Sequence, residues 1–343
     1  ETQRIDSFSR YQLLTTLVIL VFICQSDRPV FKVLHSMDRE KFLKDQRVCV
    51  RKALTKEAVP LKLKHAKIVI QGTHQDQSAS AFWGGTSTIP LDKHPLVTWK
   101  FCHLLHALIR DGHESVLVDS QRHLRRISRA GDFWLHLHAS GYGSINDRYC
   151  GMICERLEFH RKYPQIPGNF VVTEHNMREL STDPGIAIQA AIDVLDLMKS
   201  LLLLPRRVFT FLDFVEHPHN SQIQTILAPL ILVISDTEQL YNLLSNQMNH
   251  LQLIYHPEEL WLHRKRFQET RRQILSFYNE VRSIPYFTHH VQVPALNLLP
   301  LTSPNFVHSS QDYVRTQIID HPCQPVLVQP VHDPPPYDLL LPD

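Results

Sequence analysis

An all-α fold is predicted from three observations. Glycine is scarce, at 10 residues in a chain of 343, which disfavours a β-rich or collagen-like chain. Apolar residues recur at helical spacing from about residue 40 to 293. Alternation of the strand kind is nearly absent over the same span. The apolar fraction of 43% supports a real core, and at roughly 150 residues per domain the length allows one large domain or two ordinary ones. These observations predict a stack of antiparallel helices with short loops, without an internal sequence repeat.

The chain opens on Glu1 rather than Met and so reads as a fragment. Residues 13–24, LLTTLVILVFIC, are apolar. As a helix they reach about 18 Å, short of the roughly 30 Å hydrocarbon core of a bilayer. No small-x-small cleavage site follows, and the run has too few polar positions for an interfacial amphipathic helix. Residues 1–39 are therefore set apart as an N-terminal extension of uncertain origin, read as an irregular segment or packed helix with a signal or anchor as the alternative.

Helical segments 40–55 and 62–74 bracket a turn containing Pro60. In the segment 92–111, TWKFCHLLHALIRDG places Trp99, Cys102, His103, His106 and Ala107 at i, i+3, i+4, i+7 and i+8, with Gly112 as the stop. Segments 115–138 and 142–163 follow, the latter ending before Pro164, where the proline disfavours helical backbone in the residue before it. Residues 164–185 form a loop with three prolines, closed by a cap-like Ser-Thr-Asp before the helix 184–204. Helices 219–247 and 257–283 complete the set. From about 294 the character changes: residues 301–343 hold eight prolines and no glycine, a composition that cannot build a core and reads as an extended, largely disordered linker.

Lys and Arg number 36 against 34 Asp and Glu, a net charge of +2. Residues 41–67 alone carry nine bases and two acids, so this window is +7 and the rest of the chain −5. A local basic patch on a mildly acidic body points to a polyanionic ligand at one place. The overall balance, without an aromatic-basic motif, argues against nucleic acid. The six cysteines are scattered, and Cys150 and Cys154 share a helical face, a poor layout for a disulfide framework. They read as buried thiols of a cytosolic protein.

The densest part of the patch is KALTKEAVPLKLKH, residues 52–65. A first helix ends near Lys52 and a second starts near Lys62, whose unpaired N–H groups and dipole favour an anion. Lys62 and His65 are one turn apart on one face, while Lys64 points elsewhere unless the helix start is irregular. Four donors converging on one helix end suit a multiply phosphorylated head group, each lysine near an anionic leaflet contributing about 1 kcal/mol. Spacing alone equally allows a solvated basic face with no ligand.

The stretch resembles the phosphoinositide motif of ANTH domains, in the branch of the huntingtin-interacting protein 1 family. The resemblance continues through KHAKIVIQGTH, FWGGTSTIPL, WKFCHLLHALIRDGH, SGYGSI, EFHRKYPQIPGNF, LAPLILVISD, the 263–282 helix and PALNLLPLTSPNF. It implies a right-handed α-helical solenoid over residues 40–307, an ANTH domain, followed by a Pro-rich linker over 308–343. It further implies a cytoplasmic protein, peripheral on the plasma membrane and on clathrin-coated pits and vesicles, that binds phosphatidylinositol 4,5-bisphosphate. Lys52, Lys62, Lys64 and His65 carry over as head-group ligands, with Arg51, Lys56 and Lys67 as accessory contacts. Leu54 stands where the family often has Thr, and Leu61 where it often has Pro, Pro60 lying one place earlier. In relatives, clathrin and actin are engaged with the help of a coiled coil and a C-terminal actin-binding domain that this chain does not reach.

Other motifs carry less. Cys102, His103 and His106 fit neither zinc-finger nor HExxH spacing, and His136 and His138 likewise read as core histidines. Asp119 or Asp132 with Ser120 or Ser128 forms no nucleophile constellation, and SGYGSI lacks phosphate-loop spacing, so neither an enzyme nor a cofactor is expected. His263, Arg264, Lys265, Arg266, Arg271 and Arg272 spread around a helix with Trp261, Phe267 and Phe277, a solvated face or an accessory contact to lipid or an acidic partner. Pro334, Pro335 and Tyr337 match the PPxY pattern read by WW domains. LLLPD resembles a clathrin box, with Pro342 where an apolar residue belongs. The competing function is a helical scaffold whose basic patch binds an acidic protein, such as another adaptor.

Overall fold

The computed structural model describes residues 39–137, 141–213, 220–256 and 258–296. Thirteen helices account for most of them, and no strand occurs among the described residues. In chain order they are α1 (Arg39–Ala53), α2 (Leu63–Asp76), α3 (Ser80–Thr86), α4 (Pro95–Asp111), α5 (Ser115–Gln121), α6 (Leu124–Leu137), α7 (Tyr142–Lys162), α8 (Glu174–Leu180), α9 (Pro184–Asp213), α10 (Asn220–Leu227), α11 (Leu230–Ile254), α12 (Trp261–Ser283) and α13 (Pro285–His290). Neighbours in sequence pack as neighbours in space: α1 on α2 and α3, α6 on α7, α7 on α4 and α9, and α9 in turn on α11 and α12. The all-α stack expected from the sequence is the observed architecture.

Three predicted helices depart most from the observed ones. The 115–138 segment breaks at Arg122–His123, where the His123 amide bonds the Ser120 carbonyl and the ladder restarts; the His123 ring stacks on Trp83 with centroids 3.8 Å apart. The 219–247 segment breaks at Ala228–Pro229, because proline lacks the amide a continuing helix needs. Conversely, α9 runs through Pro205 to Asp213. Leu201, Leu204, Pro205 and Val208 are all buried there, and that burial offsets the roughly 3 kcal/mol a helix-interior proline costs. Within the 164–185 loop a short helix forms at Glu174–Leu180. Its capping box pairs the Thr173 side chain with the Asn176 amide and the Asn176 side chain with the Thr173 amide.

Helix α4 is central rather than amphipathic. Residues Leu96 to Ile109 are buried on nearly every side, with only His103 half-buried. Its far end meets a buried polar cluster. The Asp236 carboxylate of α11 accepts from His106 Nε2 at 2.7 Å, from Arg110 Nη1 at 2.6 Å, and from Arg156 of α7. Burial alone would raise this carboxyl, but the charges of Arg156 and Arg110 and the hydrogen bond from His106 hold it far below the ordinary carboxylate range. Burial pushes His106 down to about 4, so its ring is neutral at pH 7. Arg156 also donates to the Gly168 carbonyl at 2.5 Å and lies 4.4 Å over the Phe170 ring. Phe170 adopts φ +62°, a left-handed conformation uncommon outside glycine, held by burial of its ring against His160.

Two further expectations are corrected. His136 is exposed, not a core histidine, because it lies in the last turn of α6, where Leu135 and Leu137 are exposed too; His138 lies outside the described residues. Cys102 and Cys150 are buried with sulfurs 3.5 Å apart, whereas Cys49 and Cys154 are only half-buried. Cys24 and Cys323, the 13–24 run and the whole Pro-rich tail lie outside the described residues.

Candidate functional site

The segment between α1 and α2 is pinned at both ends by burial of Leu54 and Leu61. Between them a lysine from another helix takes hold of the backbone. Lys100 of α4 is 1% exposed, and its Nζ donates to the Thr55 carbonyl at 3.1 Å, the Thr55 hydroxyl at 2.9 Å and the Glu57 carbonyl at 2.8 Å. Burial lowers this ammonium to about 8 from 10.5, with the Glu57 charge opposing and the Lys62 charge reinforcing the shift. Ser221 of α10 adds a hydrogen bond to the Ala58 carbonyl. The loop is thus held from two helices distant in sequence, and the Lys52 and Lys62 charges flanking it both bear on His65.

Lys52 occupies the last turn of α1, where a cation is favoured by the negative end of the helix dipole. Lys62 is the N-cap of α2, with extended backbone at φ −67° and ψ 108°. Its carbonyl accepts from the His65 amide at 2.9 Å and the Ala66 amide at 3.3 Å. No side chain caps this helix start and no acid lies in its first turn. The leading N–H groups and the positive dipole end therefore lack an intrahelical partner.

Lys52, Lys62 and Lys64 are exposed and His65 is half-buried. Burial lowers the His65 pKa below the ordinary imidazole value, and the charges of Lys64, Lys52 and Lys62 lower it further, in that order. Three ammonium groups from two helices thus bear on one ring. Lys64 lies in the first turn of α2, next to His65 in sequence, and of the three lysines its charge bears most on that ring. His65 Nδ1 has no hydrogen-bond partner in the protein. The cluster offers charge-assisted donors of the kind that bind phosphate, around an imidazole that an incoming anion would help to protonate.

Arg51 and Lys67 are exposed on α1 and α2 beside this cluster. Lys56 is exposed on the loop, and its charge bears on His94 instead. Lys100 was not legible as part of the site; a lone lysine in the otherwise apolar run VTWKFCHLL was its only signal. Pro334, Pro335 and Tyr337, and the LLLPD run, lie outside the described residues.

Elsewhere, the second basic run is largely engaged or solvated. Arg266 pairs with Asp196 at 2.6 Å and Arg272 with Glu269 at 2.9 Å, while Lys265 lies 5.2 Å over the exposed Trp261 ring. Phe267 and Phe277 are buried. A recess of about 580 Å³ between α7 and α9 is lined by charged side chains, several of them already engaged: Lys162 pairs with Asp193, Asp196 with Arg266 and Glu155 with Arg148. Asp119, weighed above with Ser120, accepts from the Ser78 hydroxyl and the Ala79 amide and so orders the entry to α3. Among the described residues no group of three or more His, Cys, Asp or Glu stands together as a metal site, and no helix is long and apolar enough to cross a membrane.

The family model described as ANTH domain matches residues 45–316. "Huntington interacting protein related 1" of Caenorhabditis elegans is 39% identical over 275 residues, covering 79% of this chain and 29% of the relative. "Huntingtin-interacting protein 1" of Homo sapiens is 33% identical over 287 residues, covering 83% of this chain and 27% of the relative. The chain therefore spans less than a third of the length of these relatives. Among solved structures, the ENTH domain from epsin-2 in complex with phosphatidylinositol 4,5-bisphosphate superposes with a TM-score of 0.71 at 21% identity, covering 76% of this chain and all of that one.

Proposed function

This chain belongs to the ANTH domain family, and from that premise we propose that Lys52, Lys62, Lys64 and His65 bind the head group of phosphatidylinositol 4,5-bisphosphate on the cytoplasmic face of the plasma membrane. The observation that carries the reading is the convergence of three lysine charges on one imidazole at an uncapped helix start. A doubly phosphorylated inositol matches that arrangement in charge and in its number of acceptor oxygens. The lipid named for the epsin-2 structure and the names of the relatives support the same reading.

The module is a binding device and not a catalyst. It takes a membrane-peripheral place at clathrin-coated pits and vesicles, with no cofactor. Coupling to clathrin and to the actin cytoskeleton belongs to the longer protein of which relatives are examples, through regions beyond this segment. Pro334, Pro335 and Tyr337 offer a WW-domain protein a ligand, and Arg51 and Lys67 add lipid contacts at the rim of the site.

Co-sedimentation with vesicles containing phosphatidylinositol 4,5-bisphosphate tests this, comparing wild type with Lys62→Glu/Lys64→Glu and checking both by circular dichroism. The wild type is expected to pellet and the folded double variant to stay in solution. Equal behaviour of the two overturns the assignment and leaves a scaffold whose basic face binds an acidic protein.

A further inference from the structure

Leu63 is out of place by every folding criterion. The buried stripe of α2 runs through Thr73, Val69 and Ala66, and extrapolates back at helical spacing to Lys62, so Leu63 falls off it. Its side chain is 71% exposed, and among the described large apolar residues only Leu253 is more so. Helix propensity does not require it, since lysine or glutamine serves about as well at such a position. Cβ atoms lean toward the N-terminus of a helix, so a side chain in this first turn projects past the helix end. That is where Lys52, Lys62 and Lys64 gather around His65.

We propose that Leu63 is a bilayer anchor, entering the lipid between phosphate head groups while Lys62 and Lys64 on either side engage them. The inference rests on the head-group reading above and adds to it. An apolar tip ringed by cations complements an anionic membrane surface, which presents negative charge outside and hydrocarbon beneath. A soluble anion offers the cations their partner but leaves Leu63 in water. The site therefore distinguishes a head group held in a membrane from the same head group in solution, with Leu63 supplying the difference.

The test uses the full chain and two probes: inositol 1,4,5-trisphosphate in solution, by calorimetry, and phosphatidylcholine vesicles containing phosphatidylinositol 4,5-bisphosphate, by flotation. Leu63→Gln keeps length and helix propensity. It is expected to weaken vesicle binding roughly tenfold, the equivalent of partial burial of one leucine, and to leave trisphosphate binding unchanged. Leu63→Trp should bind vesicles at least as well as wild type, and acyl-brominated phosphatidylcholine should quench the introduced indole fluorescence above the wild-type background. If Leu63→Gln binds vesicles like wild type while Lys64→Glu does not, the anchor is overturned and the head-group site stands. If wild type binds neither probe, the head-group reading fails and the anchor with it.

Discussion

Lys100→Met isolates the tether that joins the core to the basic cluster. The ammonium makes three hydrogen bonds to the 55–57 segment, and bonds from a charged donor contribute about 1.5–3 kcal/mol each. Burying the charge works against that sum, as the fall to about 8 shows. The net loss of global stability is therefore small, on the order of 1–2 kcal/mol. The larger effect is local. Leu54, Leu61 and the Ser221 bond to Ala58 still hold the ends of the loop, but Thr55 to Glu57 lose their tether. Fixing one residue's backbone costs about 1–2 kcal/mol, so binding that must reorder even one of them weakens by roughly tenfold or more. Calorimetry with inositol 1,4,5-trisphosphate reads the affinity, and urea unfolding reads the stability. Unchanged affinity in a variant that has lost stability would refute the reasoning and leave Lys100 a core residue unrelated to the site. A pH series adds a second arm. Between about 8 in the folded chain and 10.5 in the unfolded chain, the unfolded state holds the extra proton, so Lys100 makes wild-type stability rise with pH across this window. Lys100→Met should lose that component of the slope.

Three further outcomes are expected. Asp236→Asn removes the charge that Arg110, Arg156 and His106 share in the interior, and should cost about 3–5 kcal/mol in urea unfolding because the buried Arg156 loses its counter-charge and Arg110 keeps only its pairing with Asp111. A bound phosphate raises the lowered His65 pKa, so as pH falls through the imidazole range the wild type should gain trisphosphate affinity relative to His65→Gln, with uptake of a proton; the comparison cancels the titration of the ligand's own phosphates. In the unliganded protein the same lowered pKa makes the unfolded chain protonate first, so His65 subtracts stability as pH falls through the ordinary imidazole range. Gly168→Ala would place a Cβ 1.8 Å from the Ile109 carbonyl oxygen, a clash only a backbone shift can relieve, and should cost about 1–3 kcal/mol or more in thermal or urea unfolding.

Much of the site was readable because its cations are local. Lys62, Lys64 and His65 fall within one turn, and Lys52 is brought back by a single loop, so spacing showed a basic cluster, while its assignment to a head group came from the family resemblance. Helices were legible where periodicity was long, as in α7 and α12. They were misjudged at Pro205 and Pro229, where the same residue type continued one helix and started another. Burial around Pro205 decided the first case and the missing amide the second. The apolar stripe assigned to α4 was too narrow because a helix packed on every side no longer needs a polar face.

The order of amino acids by itself determined the all-α class, the position of the basic cluster and the membership of a family, since these follow from periodicity, local charge and pattern. Tertiary structure alone decided that Lys100, about 45 residues away in sequence, holds the loop between α1 and α2, and that Leu63 is exposed to solvent. Both depend on which surfaces of α2 and α4 are covered by other helices. Burial is a property of contacts between segments distant in the chain, and no local window of sequence contains it.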